Sequence, residues 1–170
     1  YMTGKDMGID TEQVIGFENP RQGGMEREQF VTRYKAFSDE LVKLNTVAQV
    51  AGISSIPGGG SADISSTSSG VKIVGMTDRV ESTTYRTSMN DLFQPTLDAK
   101  IIAGRNFNHQ LASDTTAVIV NQSLLKLLNI NDPESVINEH LQFGRNPENR
   151  KFLVVGVIED YNRSSLKNNI

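Results

Sequence analysis

The side chains of this chain that could do chemistry are few, and their spacing argues against most of it. His109 and His140 are the two histidines, and neither belongs to a His-x-x-x-His or His-Glu-x-x-His spacing that would set two metal ligands on one helical face. Both read as surface residues. Glu159 and Asp160 are adjacent carboxylates, but neighbours on a strand point to opposite faces, so they could share a substrate only where the strand has ended. They read instead as caps of the polar turn that follows. Serines are plentiful, yet there is no Gly-x-Ser-x-Gly elbow and no serine in a recognisable relation to a histidine and an acid. Pro57-Gly-Gly-Gly60 closes an apolar run, as a phosphate-binding loop would, but no Gly-Lys-Ser/Thr follows and the glycines lack the G-x-G-x-x-G spacing. No catalytic, cofactor-binding or metal-ligating residue is therefore expected. Two matches to the glycosylation sequon, at Asn121 and Asn162, are too short a pattern to weigh.

Composition narrows the classes further. The 170 residues, 37% of them hydrophobic, suffice for one domain or two small lobes around a core. A net charge of −3, with lysines and arginines scattered singly, leaves no basic footprint for nucleic acid or an anionic lipid surface. With no cysteine, disulfides, thiolate zinc sites and cysteine nucleophiles are excluded together. No apolar stretch reaches the roughly 18 to 20 residues that span a bilayer, and no signal region opens the chain. The start at Tyr1 and the stop at Ile170, just beyond a strand and a polar turn, suggest a domain cut from a longer protein; a processed secreted protein would look similar.

The elements expected to frame these residues are mixed. Phe152 to Ile158 is a continuous apolar run and reads as a strand covered on both faces. Phe30, Tyr34, Phe37, Leu41 and Leu44 recur at steps of 4, 3, 4 and 3, which predicts an amphipathic helix over 25–45 laid on a sheet, a partner-binding helix or coiled-coil seam being the alternative. Short strands are expected at Val14-Ile15, Val47–Ile56, Val71–Gly75 and Val80–Ser88, the last two antiparallel with one wet face. The Ser/Thr/Gly tract from Ser54 to Gly70 is too poor in apolar groups to order itself and reads as a mobile loop. Asn90 opens a short helical turn that Pro95 interrupts, and Ile101–Phe107 is extended with a turn at Gly104. Thr116–Val120 reads as a buried strand, Asn121 as the cap of a helix over 122–128, and Asp132-Pro133-Glu134 as another helix start. Leu141–Phe143 and Phe152–Ile158 then form a closing hairpin.

These pieces together resemble the extracytoplasmic domain of MacB/FtsX-type ABC transporter permeases. The resemblance is carried, in the family's order, by Lys5-Asp-Met-Gly-Ile-Asp10 leading to Val14-Ile15, by Phe37-Ser-Asp-Glu-Leu41, and by Val47 to Gly58. It continues through Ile101-Ile-Ala-Gly-Arg-Asn-Phe107, Ala117-Val-Ile-Val-Asn-Gln-Ser-Leu-Leu-Lys-Leu-Leu128, and Val154-Val-Gly-Val-Ile-Glu-Asp-Tyr161 with Ser165-Leu166. After Asp132-Pro133 the family usually has a Gly-Lys/Arg pair, where this chain has Glu134-Ser-Val-Ile-Asn-Glu-His140.

The resemblance implies an α+β, two-lobed periplasmic domain with mixed sheets packed against amphipathic helices, one lobe of 1–58 plus 112–170 and an inserted lobe of 59–111. It implies a non-catalytic role, coupling cytoplasmic ATP hydrolysis to export or release of a substrate outside a bacterial inner membrane, with the domain facing the periplasm. The implied partners are the permease's own transmembrane helices, a cytoplasmic ATPase, a second copy in a homodimer and a periplasmic protein; nucleic acid is not among them. Both chain ends should meet one membrane face. A free-standing periplasmic or secreted ligand-binding protein is the alternative, with a hydrolase third. Ile56, Pro57, Gly58, Phe93 and Phe107 are the candidate partner contacts, as apolar or Gly/Pro loop residues, with packing as the other reading for the two phenylalanines.

Overall fold

A computed structural model describes residues 8–17, 26–56, 66–76, 79–144, 146, 148 and 150–161. In chain order the elements are α1 (Arg27–Val42), β1 (Ser66–Ile73), β2 (Val80–Arg86), α2 (Phe93–Thr96) and β3 (Ile101–Gly104). A 3₁₀ turn (Ala112–Thr116) then leads to β4 (Ala117–Asn121) and α3 (Gln122–Leu127), and another (Pro133–Val136) to β5 (His140–Phe143) and β6 (Lys151–Ile158).

The apolar run at the end of the sequence becomes the centre of a six-stranded sheet. β5 and β3 pair antiparallel with successive halves of β6, at Lys151–Leu153 and Gly156–Ile158, while β4 runs parallel to it from Leu153 to Ile158. Because β4 overlaps both halves, it must occupy the opposite edge of β6. β1 adds to β5 and β2 to β1, both antiparallel, giving the path β2-β1-β5-β6-β3 with β4 off it. One parallel pairing among antiparallel ones makes the sheet mixed, and the α+β class is the one expected. Val154 to Ile158 are buried in succession, as a strand covered on both faces requires.

The main core lies on this sheet, with Val71, Ile73, Ala103, Val120, Leu125, Val136, Leu141, Phe143, Val154 and Val157 in contact. A second cluster joins Ile9 to Phe93, Leu97 and Ala99, with Ala51, Ile53, Met89 and Tyr161 against it. The sheet is continuous across the divisions drawn at 58/59 and 111/112, since β1 lies on β5 and β3 on β6.

Several local expectations hold in detail. Asn121 caps α3, its Oδ1 accepting from Leu124 N at 3.2 Å, and Asp132 caps the turn at Pro133 by accepting from Glu134 N at 3.1 Å. Others are corrected. The helix over 25–45 forms as α1, but no sheet covers its stripe among the described residues, and Phe30 and Phe37 are each 47% exposed. Among the described residues Val47–Ile56 makes only an isolated bridge, Ile53 to Met89, flanked by backbone bonds from Ser54 to Ser88 and from Asn90 to Gly52. Val14-Ile15 is not a strand, and Ile15 is exposed. Ser66–Ser69, expected as mobile, is the first half of β1, held by pairing with β2 from Arg86 to Thr83; 57–65 lie outside the described residues. Pro95 sits inside the single turn of α2, where its missing N–H removes no helical bond.

Candidate functional site

The end of β6 is where the incoming and outgoing chain segments meet. A Cβ placed on Gly8 would lie 2.7 Å from the Asp160 carbonyl oxygen and 3.2 Å from Tyr161 Cα, so the two backbones are in contact there. Asp10 N donates to Leu97 O at 2.7 Å, Ile9 is buried beside Phe93, and the Tyr161 ring lies 6.3 Å from that of Phe93. The second apolar cluster thus ties the first described residues to the last.

The adjacent carboxylates diverge as soon as β6 ends. Glu159 pairs with Lys100 Nζ at 2.8 Å on the surface, and this carboxylate raises the Lys100 ammonium above its ordinary value. Asp160 turns to α3. Its Oδ1 accepts from Asn121 Nδ2 and Ser123 N, each at 2.8 Å, and its Oδ2 accepts from Ser123 Oγ at 2.7 Å. With Lys126 Nζ at 3.9 Å, the carboxylate is fully engaged in pinning the segment just after β6 to the start of α3. The two acids therefore share no substrate position.

A second polar constellation closes the loop after β3. Arg105 grips Asp114 in a bidentate pair, Nη1 to Oδ2 at 2.7 Å and Nη2 to Oδ1 at 2.8 Å, and Asn108 N donates to the same Oδ2 at 2.8 Å. Asn106 Nδ2 donates to Asp91 O at 2.7 Å, and His109 Nδ1 lies 2.6 Å from Asp91 Oδ2. The loop 105–114 is in this way fastened both to itself and to the turn before α2.

The Arg105 hydrogen bonds hold the Asp114 carboxyl below its ordinary value, outweighing the opposing effect of burial. Burial pushes the Asp91 carboxyl up, but its bonds to His109 bring the net result below the ordinary value as well. Because folded Asp114 binds its proton less readily than the unfolded chain does, its stabilisation is complete above the unfolded carboxylate value of about 4 and lost as the pH falls through the folded value. Asp114→Asn should cost about 1–2 kcal/mol at neutral pH and flatten the acid limb of a stability–pH curve; an unchanged acid limb in urea melts from pH 6 to 3 would refute this.

Neither constellation is arranged as a reaction centre. The His109–Asp91 pair is the only histidine–acid contact among the described residues, and it is occupied in holding the loop. His140 is exposed at the start of β5 on a separate element. No group of three His, Asp or Glu residues able to hold a metal ion occurs among the described residues.

The candidate contacts separate in the structure. Phe93 is 2% exposed and belongs to the second apolar cluster, packed with Leu97 and Ala99 and with Tyr161 against it, which is the packing reading of the two given for that ring. Phe107 and Ile56 are half-buried, Ile56 lying close to Gly16, and Pro57 and Gly58 fall outside the described residues. Asp91, Arg105 and Asp114 escaped sequence reasoning, since the pairs they form span an irregular loop with no period to reveal them.

No family model matches the chain, and no curated protein does. Among solved structures, the periplasmic region of MacB from Actinobacillus actinomycetemcomitans superposes with a TM-score of 0.53 at 16% identity, over 83% of this chain and 59% of that one. This chain therefore has the fold of a MacB-like periplasmic domain and spans about three-fifths of the length of that structure. A domain of a permease protein from Porphyromonas gingivalis aligns at 14% identity over 72% of this chain and 48% of that one, with a TM-score of 0.44.

Proposed function

We propose that this chain is the extracytoplasmic domain of an ABC transporter permease, carrying no reaction of its own and transmitting the conformational change driven by cytoplasmic ATP hydrolysis to a substrate outside the membrane. The observation that supports it best is the contact of Gly8 with Asp160 and Tyr161. A domain set between two membrane helices must take in and release its chain side by side, and the sheet, the second apolar cluster and the Asp160 bonds to α3 make that junction stiff. Stiffness is what allows helix motion below to become domain motion above.

In this reading the partners are the permease's own membrane helices, a cytoplasmic ATPase, a second copy of the permease and a periplasmic protein, and the location is a bacterial inner membrane with the domain on its periplasmic side. The two-lobe organisation, 59–111 against the remainder, belongs to the same proposal; it would divide one continuous sheet. Ile56, Pro57, Gly58 and Phe107 remain the proposed contacts.

The alternative of a free-standing ligand-binding protein is separated by the gene that encodes this segment. Apolar stretches of about 20 residues on both sides are expected. A stop codon directly after the segment, with a cleavable signal peptide before it, would overturn the proposal. In the complete protein, reconstituted with its ATPase, Asp160→Ala should lower transport while ATP hydrolysis continues, because the outgoing segment loses its attachment to α3. Undiminished transport would remove the mechanical role given to that junction.

A further inference from the structure

The lysines and arginines stand singly along the chain, but the sheet brings two of the lysines into one row. Lys72 on β1 is the register partner of Gln142 on β5, and Gln142 is the partner of Lys151 on β6. Directly opposed residues of antiparallel strands share a face, so these three side chains stand in line across three neighbouring strands. Their face is the reverse of the main core, because Val71, Ile73, Leu141, Phe143 and Phe152, their neighbours along the strands, pack into that core. Gln142 at the centre of the row is 3% exposed, Lys72 is half-buried and Lys151 is exposed.

The two ammonium groups are uncommitted. Lys43, Lys100 and Lys126 each have a carboxylate beside them, from Glu40, Glu159 and Asp160, whereas Lys72 and Lys151 have none among the described residues. His140, two positions before Gln142 on β5, is exposed on the same face. The charged groups described around the row are two of each sign. Arg79 donates from Nη1 to Gly144 O and lies with Glu81 against Gly70, and Glu148 and Arg150 are exposed on the connection to β6. The excess of positive charge therefore sits on the row itself.

Its spacing says what could cover it. Neighbouring strands are about 4.8 Å apart, which sets the Lys72 and Lys151 backbones about 10 Å from each other. A chain in the polyproline II conformation rises about 3.1 Å per residue with three residues per turn, so it presents every third side chain on one side, about 9 Å apart. Acids at every third position match the two lysines. An anionic lipid surface fits less well, because Lys151 opens β6 while the incoming and outgoing segments meet past its other end, about 23 Å along the strand. We infer that the row of Lys72, Gln142 and Lys151 is a docking site for an extended acidic segment of another protein, one carboxylate meeting each ammonium group. The choice of protein over lipid rests on the transporter reading, which sets the far end of β6 nearest the membrane; the test below uses the chain alone and stands whichever way the flanking gene reads.

Fluorescence anisotropy of the 170-residue chain with a labelled peptide of about four Glu-Pro-Pro repeats, against the same peptide with Gln for Glu, reads the docking directly. At an ionic strength of about 0.01 M the acidic peptide is expected to bind with a Kd on the order of 100 μM and the glutamine peptide not at all, and about 0.15 M salt should weaken the binding severalfold. Lys72→Gln and Lys151→Gln should each weaken it about three- to fivefold, whereas Lys100→Gln, at the far end of β6, should leave it unchanged. Lys151 is exposed at the start of its strand, so its variant decides alone if Lys72→Gln disturbs the sheet. The inference is overturned by no binding of the acidic peptide at about 1 mM, by a loss in Lys100→Gln as large as in Lys151→Gln, or by binding to phosphatidylglycerol vesicles in preference to the peptide.

Discussion

Gly156→Val is expected to destabilise the protein by about 4 kcal/mol or more, enough to unfold a domain of ordinary stability. Gly156 is paired with Gly104 where β3 runs antiparallel along the second half of β6, and both lack a side chain for the same reason. A Cβ on Gly156 would sit 2.3 Å from the Arg105 carbonyl oxygen, and one on Gly104 would sit 2.4 Å from the Val155 carbonyl oxygen. These are backbone atoms, which cannot swing away as a flexible side chain could. Gly104 also holds φ at +67°, a conformation that a β-branched residue resists. Relief would require β3 to leave β6, and β3 has no other strand partner among the described residues. Guanidinium titration at 25 °C measures the loss; a cost below about 1 kcal/mol would mean that the two backbones are not held this closely.

Phe93→Ala should cost about 3–4 kcal/mol, against about 1 kcal/mol for Phe107→Ala. The Phe93 ring fills the space between Ile9, Leu97, Ala99 and Tyr161, and its removal leaves a cavity at the junction of the incoming and outgoing segments. Phe107 is only half-buried on the loop fastened by Arg105 and Asp114, where truncation opens no enclosed space. Chemical denaturation gives both values, and amide exchange at Asp10, whose N–H bonds Leu97 O, should accelerate selectively in the Phe93 variant. Equal costs for the two substitutions would show that Phe93 does not anchor this cluster.

What the sequence announced was what local chemistry controls. The apolar run Phe152–Ile158 could be read as a buried central strand because seven successive non-polar positions fit few other environments, and the Asn121 and Asp132 caps because a side-chain oxygen two or three residues from an N–H needs no distant partner. The partnering of α1 could not be read. The 4, 3, 4, 3 spacing states that a helix has an apolar face, but only tertiary placement decides how much of that face is covered. Val47–Ile56 misled for the related reason that β propensity reports a preference for a pleated surface and not the presence of a neighbouring strand. Ser66–Ser69 reversed the error: weak formers became a strand once β2 supplied the hydrogen bonds. The loop clasps, Arg105 with Asp114 and Asp91 with His109, depend on chain reversals that leave no periodic trace.

The placement of β6 at the centre of the sheet also sets an order of events during synthesis. β3 and β4 pair with no strand but β6 among the described residues, yet both are made well before it. While β1 and β2 can form their hairpin at once, the ribosome must extend the chain to Ile158 before the other two find their edges. At about 5–20 residues per second that interval lasts a few seconds. Over that interval Val120 of the core, and Val118 and Ile102 packed against it, lack the β6 neighbours that cover them in the finished sheet, so this is the period when chaperone binding would have most to shield.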